Sequence, residues 1–207
     1  TRDDLGFASV AAFDPKTAPA YVGFANGSDT TPVKPLEPAE SFTKEEGLTK
    51  DANLKLNGFG ADGMTLSSTD GAPAFAWKAI NAKTLTVSVR LKSSAGARPL
   101  LALKGKSKDG QEMLAYMDPA WREGLAALLW KDATHTASAY RYTWKADTWF
   151  DFVSQKAHWH KWQIIDTTNE KNRASFVGDL LPGAQNVQVG LGVAGKGSVS
   201  IKGFATK

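Results

Sequence analysis

Two of the chain's three histidines and two of its seven tryptophans fall within "KAHWHKWQIID", residues 156–166. If this stretch is an extended strand, His158, His160 and Trp162 share one face, because successive side chains alternate. Two histidines at this spacing can bind one metal ion, but a protein site needs a third ligand and often a fourth. The carboxylate that follows them, Asp166, lies too far along the strand to complete the set. We therefore predict no metal and no cofactor here. One face is expected to pack in the core, and the other to lie at a binding surface.

A second aromatic stretch, "SAYRYTWKADTWFDF", precedes it in the chain. As a strand it places Tyr140, Tyr142 and Trp144 on one face, a pattern that suits either a platform for sugar rings or an inter-sheet core. Trp121, Trp149 and Trp159 stand beside charged or turn residues, so we expect them to face solvent. The predicted ligand-binding set is Tyr140, Tyr142, Trp144, Trp149, His158, Trp159 and His160.

Catalytic signatures are harder to find. Glycoside hydrolysis usually needs two carboxyl groups about 5 to 9 Å apart, whereas Glu112, Asp118 and Glu123 surround a proline-broken segment and do not alternate along one strand. A lyase needs a tyrosine or histidine to move a proton and a cation to hold a carboxylate. Tyr142, Arg141 and either histidine of the pair could supply these groups only if different strands contributed them. We assign no catalytic residue, and whether the chain is an enzyme stays open.

The charge pattern argues against a nucleic-acid partner. The net charge is +4, and the lysines and arginines are spread along the chain. The tightest cluster is Lys104, Lys106 and Lys108, and Asp109 and Glu112 follow it at once. Nucleic-acid binders usually concentrate positive charge on one face.

The chain has no cysteine, which excludes disulfides, cysteine-ligated zinc and thiol chemistry. No apolar run approaches the length of a membrane span. Because the sequence begins at Thr1 without an initiator methionine or a signal-like segment, we expect a mature form or an excised piece, exported to the periplasm or the extracellular space.

The hydrophobic period from Asn53 onward is two. In "TLTVSVRLK" it places Leu85, Val87, Val89 and Leu91 on one face, which is typical of a half-buried antiparallel strand. "VQVGLGV" repeats the pattern and, with "SVSIKGF" after the turn "AGKG", predicts a C-terminal hairpin. Further strands are predicted at "LKLNGFG", "AFAWKAI", "RPLLALKG", "GLAALLW", "SAYRYTW", "WFDFVSQ" and "KWQIID". Only the region before "GLAALLW" invites a helix, and Pro119 interrupts it.

The first fifty residues differ from the rest. Residues 26–51, "NGSDTTPVKPLEPAESFTKEEGLTKD", have three prolines and little apolar periodicity, which is typical of a loop. We predict an irregular N-terminal arm over residues 1–52 that contributes one or two edge strands, and a sandwich domain over residues 53–207. The predicted fold class is all-β, a two-sheet antiparallel β-sandwich of jelly-roll type.

The closing stretch, "NVQVGLGVAGKGSVSIKGFA" after a tryptophan-containing segment, resembles the end of concanavalin A-like (lectin/glucanase, laminin-G-like) sandwiches. The resemblance covers residues 144–204 and implies this sandwich fold and carbohydrate ligands. The Glu-x-Asp-x-x-Glu strand of the laminarinase-like hydrolases is missing, as are the arginine-rich and Gln-x-His strands of the alginate lyases. No catalytic residue is therefore transferred from these enzymes.

The function that these patterns favour is non-catalytic glycan recognition by an exported or phage-borne module, through exposed aromatic side chains. One alternative is a polysaccharide lyase or hydrolase that uses histidine and tyrosine on the sandwich face. A second is a capsid or surface-assembly subunit that forms oligomers through its N-terminal arm.

Overall fold

The computed structural model describes residues 45, 47–60, 63–80, 86–122, 125–131, 137–155, 161–177, 181 and 183–207. Within these ranges the regular structure is entirely β-strand, arranged as two seven-stranded antiparallel sheets. The predicted all-β, two-sheet sandwich is confirmed. No helix in this part of the chain is long and apolar enough to cross a membrane.

The first sheet has the strand order β1-β4-β13-β6-β7-β8-β9. Its strands are β1 (Leu48–Lys50), β4 (Ala74–Ala79), β6 (Ala97–Lys106), β7 (Glu112–Arg122), β8 (Leu125–Lys131), β9 (Ala137–Arg141) and β13 (Gln185–Gly195). The second sheet has the order β12-β11-β10-β5-β14-β3-β2. Its strands are β2 (Leu54–Gly60), β3 (Gly63–Ser68), β5 (Thr86–Ser93), β10 (Phe150–Gln155), β11 (Lys161–Asp166), β12 (Asn169–Val177) and β14 (Val199–Thr206).

The core lies between the inner faces of the two sheets. The alternation predicted for β5 is confirmed, since Val87, Val89 and Leu91 are all buried in it. The corresponding residues of β13 pack against them from the first sheet: Val189, Leu191 and Val193. A side-chain period of two places every second residue on the same face, so each strand contributes one apolar row.

The predicted C-terminal hairpin is wrong. β13 pairs with β4 and β6 in the first sheet, whereas β14 pairs with β5 and β3 in the second. The glycine turn between them carries the chain across the sandwich. Gly195 and Gly197 both have positive φ, 82° and 146°, which only glycine adopts readily. A glycine-rich turn bends the chain sharply, but it does not specify whether the next strand joins the same sheet.

The segment that invited a helix is a strand, β7. Ala115 and Met117 point into the core while Leu114 and Tyr116 point outward, so a period of two overrides the helix propensity of the individual residues. Pro119 lies where the register between β7 and β8 shifts. That is where a residue without an amide donor is tolerated in a sheet.

β11 contains the described part of the histidine-rich stretch. Trp162 and Ile164 are buried in the core, which confirms that this face packs inward. The opposite face was expected at a binding surface, but Gln163 and Ile165 are buried as well, at 0% and 6% exposure. That expectation is therefore wrong for the described residues of the strand. His158, Trp159 and His160 lie outside the described residues.

β1 is an edge strand of the first sheet and falls inside the predicted N-terminal arm. It pairs with β4, with Thr49 opposite Trp77. The earlier strands suggested within the arm lie outside the described residues, and the domain boundary at residues 52 and 53 stays a prediction.

Candidate functional site

Tyr142 is not an exposed ligand-binding residue. Its side chain is 5% exposed, belongs to the main core, and meets Phe150 edge-on with ring centroids 6.2 Å apart. The predicted alternation of side chains between two strand faces does not extend to Tyr142, because β9 ends at Arg141. The buried hydroxyl has no hydrogen-bond partner in the described part of the chain. Burial, reinforced by the nearby Asp166 carboxylate, raises the pKa of Tyr142 far above its ordinary value, which also makes it unsuitable for proton transfer.

Trp144 is held by the protein itself. Its ring stacks on Phe150 with centroids 4.1 Å apart, and its indole Nε1 donates a hydrogen bond to Ser93 Oγ at 3.0 Å. One ring face and the only polar atom are therefore already engaged. Trp144 is partly exposed, so its role in ligand binding stays a prediction.

Trp149, like Trp144, is partly exposed. The Lys92 ammonium lies 4.9 Å from its ring centroid. Its role in ligand binding stays a prediction. Of Tyr140 the structure describes only the backbone, in β9, so its assignment also stays a prediction.

The polar side chains near Tyr142 form a structural cluster. Asp166 Oδ1 accepts hydrogen bonds from the amide and hydroxyl of Thr168, and Oδ2 accepts one from Asn172. Burial raises the pKa of Asp166, but these hydrogen bonds and the Lys145 ammonium at 3.6 Å outweigh it and lower the pKa. Because its oxygens are occupied within the fold, this carboxylate stabilises the β11–β12 turn.

A groove on the outer face of the first sheet has the features of a binding site. We call it the outer groove; its volume is about 570 Å³. It is lined by Asp51, Pro73, Phe75, Trp77, Lys104, Gly105, Lys106, Glu112, Met113, Leu114, Tyr116, Asn186 and Gln188. Small-molecule sites typically have volumes of about 300 to 1,000 Å³, with apolar walls and a few polar groups.

The strand register forms the floor of this groove. Trp77 is paired with Gly190, Gly190 with Ala102, and Ala102 with Tyr116, so two small residues separate two aromatic ones. A Cβ atom at Gly190 would lie 2.5 Å from Cζ3 of Trp77. The indole can therefore lie flat across β13 only because residue 190 has no side chain.

The aromatic side chains of the groove form one cluster. The ring centroids of Phe75 and Trp77 are 5.0 Å apart, and those of Phe75 and Tyr116 are 5.9 Å apart with the rings edge to face. Phe75 and Trp77 are almost fully buried, while Tyr116 is partly exposed. Gly192 accommodates the Phe75 ring as Gly190 accommodates the indole.

Polar groups fix the orientation of the indole. Asp51 Oδ1 accepts a hydrogen bond from Trp77 Nε1 at 2.9 Å, and Oδ2 accepts one from the Phe75 backbone amide at 2.9 Å. The Lys104 ammonium lies 4.0 Å from the centroid of the Trp77 ring. Contacts of this kind are worth about 0.5 to 2 kcal/mol, depending on how far the ammonium is desolvated.

Beyond Tyr116 the same face carries an ion pair whose carboxylate is buried, while its arginine is partly exposed. Asp118 Oδ2 lies 3.1 Å from Arg98 Nη1, and Asp118 Oδ1 accepts a hydrogen bond from the Ala120 amide at 3.0 Å. Burial raises the pKa of Asp118 to about 6, although Arg98 and the amide both act to lower it. Burial and the Asp118 charge together raise the pKa of Tyr116, despite the opposing effect of Arg98, so its hydroxyl stays protonated.

This arrangement suits binding. The partly exposed Tyr116 ring can contact the flat face of a ligand ring, with the nearly buried Phe75 and Trp77 supporting it from below, and amides and ammonium groups at the rim can reach the ligand's polar substituents. The expected site residues missed Phe75, Trp77 and Tyr116, although the sequence predicted the strand that carries Phe75 and Trp77. A usable signal existed, because aromatic residues two apart in "AFAWKA" match glycines two apart in "VGLG".

Comparison with known proteins places this geometry in a recognised architecture. No protein-family model and no curated protein sequence matches the chain. Among solved structures, a Bacillus subtilis protein of unknown function with a galectin-like fold superposes with a TM-score of 0.59 at 10% identity, covering 84% of this chain and 96% of the other. The carbohydrate-binding module CBM66 of the same organism superposes with a TM-score of 0.51 at 15% identity, covering 78% and 95%.

Lectin II from Ulex europaeus gives a TM-score of 0.51 at 9% identity, covering 81% of this chain and 97% of the lectin. At such low identity these likenesses concern the fold alone. The chain has a β-sandwich fold similar to the galectin-like fold of the Bacillus subtilis protein.

Proposed function

We propose that this chain is a non-catalytic carbohydrate-binding domain and that its ligand lies in the outer groove. The observation that carries the proposal is the aromatic cluster of Phe75, Trp77 and Tyr116, which lines a groove with an amide-rich and charged rim. Sugar rings combine apolar C–H faces with a periphery of hydroxyl groups. Such a ligand is matched by aromatic carbon beside amide and ammonium donors.

The structural neighbours support the same ligand class. Two of them are described as a carbohydrate-binding module and a lectin, and both share the sandwich at TM-scores just above 0.5. An exported or phage-borne setting is part of the proposal and rests on the sequence patterns alone.

The structure argues against the catalytic alternative, a polysaccharide lyase or hydrolase that uses histidine and tyrosine. The tyrosine expected to transfer a proton, Tyr142, is buried in the core. In the outer groove, Asp51 accepts hydrogen bonds from the Trp77 indole and the Phe75 amide, which gives this carboxylate a structural role. We therefore propose recognition without cleavage.

The test is a binding screen of the chain against soluble neutral and anionic polysaccharides, with the same samples checked for shortened products. Tyr116→Ala and Gln188→Ala alter the rim of the outer groove, while Trp149→Ala alters the surface favoured by the sequence patterns. We expect Tyr116→Ala to weaken binding by about tenfold. An aromatic stacking contact is worth about 1.4 kcal/mol, which corresponds to a tenfold change in affinity. Trp149→Ala should bind as the unmodified chain does.

Each variant is first checked by its thermal unfolding midpoint, so that lost binding is not confused with lost folding. If Trp149→Ala abolishes binding and Tyr116→Ala does not, the ligand lies elsewhere on the sandwich. Absence of binding across the whole screen, or shortened products, contradicts the proposed function itself.

A further inference from the structure

We propose that the outer groove selects glycans that carry anionic groups, and that Lys104 is the residue that determines this selectivity. The inference rests on the proposed function and concerns the substrate class of that same site. It begins from the position of the Lys104 ammonium, 4.0 Å from the centroid of the Trp77 ring. A neutral sugar that stacked on this part of the indole would have to displace the ammonium. A carboxylate or sulfate group can instead accept hydrogen bonds from it where it stands.

The charges around Lys104 leave it available to such a group. Within the described residues, no carboxylate oxygen lies within 4.0 Å of its ammonium. Asp51, the acidic residue that lines the groove beside Trp77, uses both oxygens to accept hydrogen bonds from Trp77 and Phe75. The other acidic lining residue, Glu112, is the cross-strand partner of Lys106 rather than of Lys104. Asp51 keeps its negative charge, because these donors are neutral, but the charged group that lies over the face of the indole is the Lys104 ammonium.

The neighbouring rim adds donors suited to an anion. Gln188 is the cross-strand partner of Lys104, so its side-chain amide lies next to the ammonium on the same face. The β6–β13 register shifts between Gln185 and Gln188, and within this bulge Asn186 has a φ of 53°. Left-handed backbone is unusual for a residue other than glycine, and such conformations cluster at ligand-binding positions. The bulge places a second exposed amide in the lining of the groove.

Two lysines of the cluster Lys104, Lys106 and Lys108 line the outer groove. Lys104 and Lys106 are two apart on β6, so both point to the outer face and both line the groove. Lys106 is exposed and lies further from the indole, towards the end of the strand and beside its cross-strand partner Glu112. A chain-like anionic glycan could contact the two ammonium groups in turn.

The experiment compares matched pairs of ligands that differ in charge. Polygalacturonate is paired with its methyl-esterified, neutral form, and dextran sulfate with dextran, at two salt concentrations. We expect the unmodified chain to bind the anionic member of at least one pair ten times or more tightly, with the preference decreasing at high salt. The two pairs also distinguish carboxylate from sulfate as the recognised group.

Three variants identify the source of the preference. Lys104→Met keeps an unbranched side chain over the indole but removes the charge, so it should lose most of the preference; Lys104→Arg should retain it. Lys55→Met is the matched control, because Lys55 is an exposed lysine on β2 of the second sheet and its loss changes the net charge equally.

Equal or tighter binding of the neutral members overturns the inference and leaves the proposed function standing. The inference is also overturned if Lys104→Met keeps the full preference, or if Lys55→Met loses as much, since net charge alone would then explain it. If the chain binds a neutral glycan but neither anionic ligand, selectivity for anions is refuted. Failure to bind any glycan refutes both proposals.

Discussion

Replacement of Asp118 by asparagine should remove a pH dependence of stability that the structure assigns to this carboxyl group. Asp118 is 3% exposed on the outer face of the first sheet, and its pKa is raised from 3.8 to about 6. Burial is the main cause, because it penalises the charged form, and the Arg98 guanidinium at 3.1 Å offsets only part of it.

The sign follows from proton binding in the two states. Between pH 3.8 and about 6 the folded chain holds a proton on Asp118 that the unfolded chain has released. The stabilisation from this group is therefore fully present below pH 3.8 and is lost as pH rises through 6. The interval between the two pKa values corresponds to about 3 kcal/mol of unfolding free energy.

Urea unfolding of the unmodified chain and Asp118→Asn between pH 4 and 8 measures this effect. Asparagine keeps an oxygen that can accept the hydrogen bond from the Ala120 amide, but the asparagine side chain cannot ionise. The unfolding free energy of the unmodified chain minus that of the variant should fall by about 3 kcal/mol between pH 4 and 7. Other titrating groups cancel in this difference.

Two further variants check the cause. Arg98→Met removes the cation that lowers the pKa, so the pH interval over which stability is lost should extend above 6. Asp109→Asn is a control of opposite sign, because the hydrogen bond from Ser107 lowers the pKa of this exposed carboxyl group. The reasoning is refuted if the unfolding free energy of the unmodified chain minus that of Asp118→Asn stays constant with pH or rises with pH.

Substitutions at three other positions test which residues belong to the core and which to the outer groove. Tyr142→Phe removes a buried hydroxyl that lacks a partner in the described residues, so urea unfolding should show unchanged stability or a gain of up to about 1 kcal/mol, with glycan binding intact. Gly190→Val places a side chain against the Trp77 ring and should cost about 1 to 3 kcal/mol through overpacking, seen as a lower thermal midpoint. Asp51→Ala leaves Trp77 Nε1 without its acceptor and should cost about 1 to 3 kcal/mol, while Asp51→Asn should cost less. An unchanged midpoint for Gly190→Val or Asp51→Ala, or a loss of stability for Tyr142→Phe, would contradict these assignments.

Much of the strand content could be predicted from the sequence. The alternation in β5 and β13 follows from a physical rule, since an antiparallel strand with one face in the core must place every second side chain inward. The strand β3 was missed because "GMTLSS" is short and polar, and β12 because "NEKNRASFV" is rich in charged and amide residues. In β3 the alternation is limited to Met64 and Leu66, and in β12 polar and charged residues dominate, so neither segment stands out as a strand.

The candidate site was harder to predict from the sequence. Tyr142 and Trp144 share the composition of a binding platform, yet one is in the core and the other is stacked on Phe150. Aromatic side chains suit a sugar platform and an inter-sheet core equally well, so composition alone could not separate them. In the same way, the turn after β13 has the residues of a hairpin but joins two sheets.

The sequence by itself determined the all-β class, the positions of most strands and the inward face of the strongly alternating ones, because these depend on contacts between near neighbours and on a period of two. Only the tertiary structure decided which strands lie side by side. The groove exists because β13, from late in the chain, lies between β4 and β6 and brings Gly190 between Trp77 and the Ala102–Tyr116 pair. Such non-local pairing depends on how all the strands pack together, and no short stretch of sequence contains it.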